Sequence, residues 1–313
     1  METRLWWAGD SLHSPYVITK RDNERPLNFP FRGGLMRSEL TAGEVEESRG
    51  QRPSFLHSLF ELRVPLEIAL FWANGIYHRW PHVAKHGNRK SIILIPGFMA
   101  GDRSLAPLAG LCRWLGHRTF FTGIRSNSDC PRETARILEQ HLKRIHEDEG
   151  RVVIIGQSLG GVYARELAAR RQELVESIIT LGSPVRMSDD SANPLLVKIA
   201  LQVARLRKLE DGCLTRSCPC GMKMAERIPD DIPTTVVYSK TDGVVHWSSC
   251  IDRSGAQNVE NIEVMSSHCG MGLNTDVLKV VADRLARAPR PTAPRPMPVV
   301  RQTRRREAIS QLS

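Results

Sequence analysis

The run Arg151-Val152-Val153-Ile154-Ile155-Gly156-Gln157-Ser158-Leu159-Gly160-Gly161 decides the fold. Its first half is a continuous β-branched, apolar stretch, the pattern of a strand buried on both faces. Its second half gathers small residues around a serine, and apolar residues at helical spacing follow as far as Arg171. A Gly-x-Ser-x-Gly run between strand and helix is a sharp turn that lifts the serine Oγ above the strand end. The small residues two before and two after keep side chains from colliding across the turn. The helix that starts at the serine aims its first amides and positive dipole end at the same point. The pattern predicts a strand over 151–156, a helix over 159–171 and Ser158 as nucleophile. The plainer alternative, a tight turn with an incidental serine, predicts the same backbone without the chemistry.

Outward from this run the chain alternates short apolar segments with amphipathic ones. Strands are expected over 91–95, 118–121, 177–181, 234–238 and 262–265, and helices over 105–115, 131–149, 194–209 and 274–287. Pro131 in a first turn and Gly150 just past a last one bound the longest helix. Continuous apolar strands alternating with helices indicate an α/β chain with a mostly parallel sheet covered on both faces. Residues 186–233 break the rhythm and suit a lid-like insertion over one end of the sheet. Residues 55–287 form the expected core domain. A polar, poorly ordered extension over 1–54 precedes it, and a Pro/Arg-rich disordered tail over 288–313 follows. From Phe55 to Trp80 apolar residues recur every three or four positions, which predicts one or two helices broken near Pro65.

The whole chain has 313 residues, 41% of them hydrophobic, enough for one sizeable core. Its longest uninterrupted apolar run, 68–73, is far short of the roughly 18 residues that span a bilayer. The first residues lack a basic stretch leading into a long apolar one, so a cytoplasmic protein is expected. Peripheral membrane contact through the Arg-rich tail or residues 55–80 stays open. Of the net charge of +10, +6 falls from Arg287 onward. Without interleaved aromatics that tail reads as a solvated segment, and nucleic acid is not indicated as a partner. Of seven cysteines, Cys213, Cys218, Cys220, Cys250 and Cys269 fall in the last third. The spacing Cys213-x4-Cys218-x-Cys220 lacks the paired C-x2-C of common zinc sites. Zinc, a disulfide and plain thiols remain alternatives, plain thiols being the default. No cofactor or metal is expected.

A serine hydroxyl needs a base. His268 lies in Ser266-Ser267-His268-Cys269-Gly270, the loop after the last expected strand, and His246 is its rival. His141 and His146 fall within a helix. The carboxylate that orients the imidazole should follow another strand. Asp242, four residues beyond the strand 234–238, fits; Asp252 is second, while Asp189 and Asp190 come too early. An oxyanion needs backbone donors. The Leu159 amide, next to the nucleophile, is one, and the Phe98 amide, after the Pro96-Gly97 turn, is the other.

With these residues in view, Ile92 to Leu273 resembles the lipase and esterase branch of the α/β-hydrolase superfamily, bacterial triacylglycerol lipases in particular. Ile95-Pro96-Gly97-Phe98 looks like its oxyanion loop and Gly156 to Gly160 its nucleophile elbow. Thr180 to Pro184 looks like its strand-end segment, and Asp242-Gly243-Val244-Val245 and Ser267-His268 like its acid and histidine loops. The resemblance covers roughly 180 of the 313 residues, and the order Ser158, Asp242, His268 follows the family. It implies a serine hydrolase acting on carboxylic esters, lipid-like or otherwise apolar, through an acyl-enzyme. An acyltransferase or thioesterase on the same residues is the alternative, and a non-catalytic binding protein of this fold a third. The chain lacks obvious counterparts of the family's first two strands, and its first ninety residues match nothing in it.

Overall fold

The computed structural model describes residues 61–73, 89–185, 193–209 and 228–287. The expected extension, the Arg-rich tail, Cys213, Cys218, Cys220 and much of the interval 186–233 lie outside these residues, as do 55–60 and 74–80.

Among the described residues six strands form one sheet: β1 (Ser91–Ile95), β2 (Arg118–Phe121), β3 (Val152–Gln157), β4 (Val175–Leu181), β5 (Thr234–Tyr238) and β6 (Val259–Glu263). Their order is β2-β1-β3-β4-β5-β6, and every pairing is parallel. The helices are α1 (Val64–Ala73), α2 (Ala106–Trp114), α3 (Pro131–Glu149), α4 (Leu159–Arg170), α5 (Pro194–Leu206), the single turn α6 (Trp247–Cys250) and α7 (Thr275–Ala286).

The apolar strands are buried on both faces, as their composition requires. Ile92, Leu94, Val153 and Ile155 pack on one side with residues of α2 and α7. Ile93, Ile95, Val152 and Ile154 pack on the other with α3 and α4. The alternation is the two-residue period of a strand, and each such side chain contributes about 1.5–3 kcal/mol by leaving water.

The strand over 262–265 is displaced to Val259–Glu263. At the sheet edge, β6 needs burial at only some positions, so polar Glu260 and Asn261 pair with Thr235 and Val236, while Met265 is exposed. Pro65 stands in the first turn of α1, just after the 3-10 turn Glu61–Arg63, where its missing N–H costs nothing. That helix is inverted relative to a packed amphipathic one. Glu67 and Phe71 face inward, whereas Leu62, just before it, and Leu66, Leu70 and Trp72 are exposed, Trp72 by 73%.

Parallel strands gather all their C-terminal ends on one rim. The chain leaves β1 for β2 on one side and returns to β3 on the other, so the strand order reverses between β1 and β3 while all strands stay parallel. A crevice opens outside strand ends at such a point. The opposite rim carries ion pairs instead: Lys90 Nζ meets Glu176 at 2.5 Å, and Arg118 pairs with Glu149.

Candidate active site

Ser158 occupies the turn between β3 and α4 with φ 51° and ψ −120°. A non-glycine residue there stores about 1–3 kcal/mol of strain. Serine at a helix N-terminus ordinarily caps it through its hydroxyl, but Ser158 makes no such bond. The flanking glycines are dictated by contact. A Cβ on Gly156 would stand 2.3 Å from the Gly160 carbonyl oxygen, and one on Gly160 would stand 2.1 Å from that of Ile95. The elbow and the loop after β1 therefore touch backbone to backbone. Gly97 lies against Ser158 for the same reason, its own missing Cβ falling 3.2 Å from the serine Cβ.

The loop after β1 is held by a residue the sequence did not mark. Asn127 donates from Nδ2 to the Pro96 carbonyl at 2.8 Å, while its backbone exchanges bonds with Met99 and Ala100 at 2.9 Å each. Met99 takes a positive φ of 58° to allow this. Among the described residues neither the Phe98 amide nor the Leu159 amide, which opens α4, donates to a protein acceptor. Two such N–H groups beside a serine are suited to a developing oxyanion.

The structure joins His268 to Asp242: Nδ1 lies 2.6 Å from Oδ2, with both side chains buried. A carboxylate only accepts, so Nδ1 carries the proton and Nε2 is the basic nitrogen. The other oxygen, Oδ1, accepts from the Val244 and Val245 amides at 2.8 Å each, which fixes the carboxylate plane. Burial disfavours the charged imidazole, but the Asp242 charge and hydrogen bond, with the Glu61 charge, more than offset it; the His268 pKa lies above its usual value. The elbow is tied to this pair, because the Gln157 amide donates to the His268 carbonyl at 2.9 Å. Among the described residues no hydrogen bond links the Ser158 hydroxyl to the imidazole. Bonds of that kind are often long before substrate arrives.

The rivals have other partners. His246, the N-cap of α6, meets Ser248 Oγ through Nδ1 at 2.8 Å. Asp252 forms a buried ion pair with Arg165 at 2.8 Å. Cys269, next to the histidine, is a free thiol pushed up to about 12 by burial and by Glu61, so it stays protonated and unreactive near neutral pH. Among the described residues no cluster of side chains suits a metal ion.

Further residues join the acid and histidine loops. Ser239 Oγ donates to the Ser266 carbonyl at 2.8 Å, and Thr241 Oγ1 does so at 3.1 Å. Glu61, in the 3-10 turn before α1, accepts from the His268 amide at 2.7 Å and the Gly243 amide at 3.1 Å. Glu67 accepts from the Ser267 amide at 2.8 Å and from the Ser267 hydroxyl.

Residues 132–272 match the family described as the PGAP1-like alpha/beta domain. No curated protein matches the sequence. Among solved structures, the chain is similar to a monoacylglycerol lipase of Paleococcus ferrophilus, at 12% identity over 64% of this chain and 96% of that one, with a TM-score of 0.46. It is also similar to an extracellular α/β-hydrolase from a Paenibacillus species, at 14% identity, 64% and 99% coverage and a TM-score of 0.44. Polyneuridine aldehyde esterase gives 16% identity, 63% and 100% coverage and a TM-score of 0.45. With its six-stranded parallel sheet, its strained elbow and the family match over 132–272, the chain has the α/β-hydrolase fold.

Proposed function

We propose that the chain is a serine hydrolase that cleaves carboxylic esters through an acyl-enzyme on Ser158, with His268 as base and Asp242 as its orienting carboxylate. The observation that carries the reading is the buried Asp242–His268 pair, tied through Gln157 to a strained elbow whose serine does not cap its helix. His268 Nε2 takes the Ser158 proton as Oγ bonds to the ester carbonyl carbon, and the Phe98 and Leu159 amides receive the oxyanion. As the tetrahedral intermediate collapses, the imidazolium returns that proton to the leaving alkoxide and the alcohol departs. Water then adds to the acyl carbon, giving its proton to His268, and the carboxylic acid leaves as Oγ regains a proton. The exposed Leu62, Leu66, Leu70 and Trp72 form an apolar surface on the segment that contacts the histidine loop, which favours lipid-like esters.

Labelling with a fluorophosphonate probe, beside Ser158→Ala, tests the reading. The parent should label and the variant should not, with hydrolysis of p-nitrophenyl esters falling on the order of 10⁴-fold or more in the variant. Equal labelling of both removes Ser158 from the role. Longer acyl chains should be preferred in the same assay, and added alcohols would report any transfer to acceptors other than water.

A further inference from the structure

We propose that Glu61 and Glu67 are positioning residues: two carboxylates from ahead of the sheet clamp the acid loop and the histidine loop in their working geometry. The proposal rests on the reading of Ser158, Asp242 and His268 given above. It concerns residues that approach the site from about two hundred positions away in the chain and lie outside the matched segment 132–272.

Glu61 Oε1 is shared by one amide from each loop, that of Gly243, next to Asp242, and that of His268 itself. A single oxygen thus fixes the separation of two backbones whose side chains must meet at Nδ1 and Oδ2. Its second oxygen accepts from the Cys269 amide at 3.1 Å. Glu67 holds the residue before the histidine from the other side, through the Ser267 amide and hydroxyl, with the Ser266 hydroxyl at 3.4 Å. Gly270 leaves the room, since a Cβ there would overlap the Glu67 carboxylate.

The inverted character of α1 follows from this arrangement. A helix docked for stability turns its leucines inward; this one turns inward Glu67 with Phe71 and leaves Leu66, Leu70 and Trp72 outside. Its polar attachment is the set of hydrogen bonds from Ser266 and Ser267 of the histidine loop to Glu67, beside Phe71 in the core. An ionised carboxylate accepts only, and all its partners here are N–H or O–H donors, so the contacts are specific.

The clamp also acts through charge. The charged groups acting on His268 are Asp242 from the loop after β5 and Glu61 from the turn before α1; Glu61, Asp242 and Glu67 act on the neighbouring Cys269, and the buried Cys250 thiol faces Asp242. Of these, Asp242 and Glu61 favour the imidazolium.

The test uses the full chain with Glu61→Gln, Glu61→Ala and Glu67→Gln. The His268 titration is followed by NMR of the imidazole Cε1–H, assigned with His268→Asn, beside kcat and KM on a p-nitrophenyl ester and the melting temperature. Glu61→Gln keeps an oxygen for the shared amides and removes the charge, so the His268 pKa and the acid limb of kcat/KM should both move down. Glu61→Ala and Glu67→Gln should lower kcat on the order of 10–100-fold with KM within about twofold. An unmoved His268 titration in Glu61→Gln overturns the proposal, whatever the melting temperatures show; so does a kcat in Glu61→Ala within twofold of the parent. If the parent hydrolyses no ester, the proposed function falls, while the titration still decides the clamp. Should Glu61→Ala fail to fold, Glu61→Gln carries the test alone.

Discussion

Replacing Asp252 by alanine should destabilise the fold more than any single surface change. The Arg165 guanidinium on α4 is 2% exposed and lies 2.8 Å from the Asp252 carboxylate, itself 3% exposed. With charge centres roughly 4 Å apart and an effective dielectric of about 20, their attraction is about 4 kcal/mol. Removing the acid loses that attraction and leaves a cation buried without its carboxylate, for which breaking a buried pair costs about 3–5 kcal/mol. The Ser254 amide loses its acceptor as well. In a domain of about 150–250 residues this lowers the melting temperature by about 6–20 °C. Urea unfolding at pH 7 followed by far-UV circular dichroism gives the difference directly. The double variant Arg165→Met/Asp252→Leu should be more stable than Asp252→Ala, because it removes the stranded charge along with its partner. The pH dependence has a definite sign. Burial raises the Asp252 carboxyl, but hydrogen bonds from Ser254 and the Arg165 charge outweigh it and hold the group below its ordinary 3.8. Its stabilising contribution is present above 3.8 and lost as pH falls through the depressed value, so parent and variant converge in acid. A loss below about 1 kcal/mol in Asp252→Ala, or a double variant less stable than it, refutes the reasoning.

Three other perturbations have defined outcomes. Gly160→Ala puts a Cβ 2.1 Å from the Ile95 carbonyl oxygen, so soluble protein should label at least tenfold more slowly with a fluorophosphonate, or fail to fold. Asn127→Ala leaves the buried Pro96 carbonyl without its donor; a stability loss of about 1–3 kcal/mol by denaturant titration and a lower kcat at similar KM are expected. Because His268 must be neutral to act as base and its pKa is raised, the acid limb of kcat/KM should lie above pH 6.5. A limb below that value removes the Asp242–His268 pair as its cause.

The elements most legible in sequence were those whose residues answer to one physical demand. β1 and β3 are apolar at every core position because both faces are covered, and the elbow glycines are set by contacts of 2.1–2.3 Å that no side chain could fit. β6 was misplaced because an edge strand tolerates Glu260 and Asn261, so its apolar signal is diluted. Glu61 and Glu67 were hidden for a different reason. Acids within an apolar helical run read as its solvated face, and only the fold shows that this face points inward. The run carried a faint sign of this, since its leucines and Trp72 surround Glu67 on several sides and leave no separate polar stripe. Asn127, Arg165 and Asp252 belong to no motif; their partners lie 31 and 87 residues away, and a single sequence does not encode such pairings in any local pattern.

The salt-bridged rim at the start of the strands has a practical corollary. Lys90, Glu176, Arg118 and Glu149 stand at the end of the sheet away from Ser158 and His268. A tether chemically joined to the protein near Arg118 would leave the reactive mouth facing away from any solid support. Immobilised in that orientation, the molecule should turn over substrate as it does when free, whereas a tether at the strand-end rim, near the exposed Met99, would press the mouth against the surface.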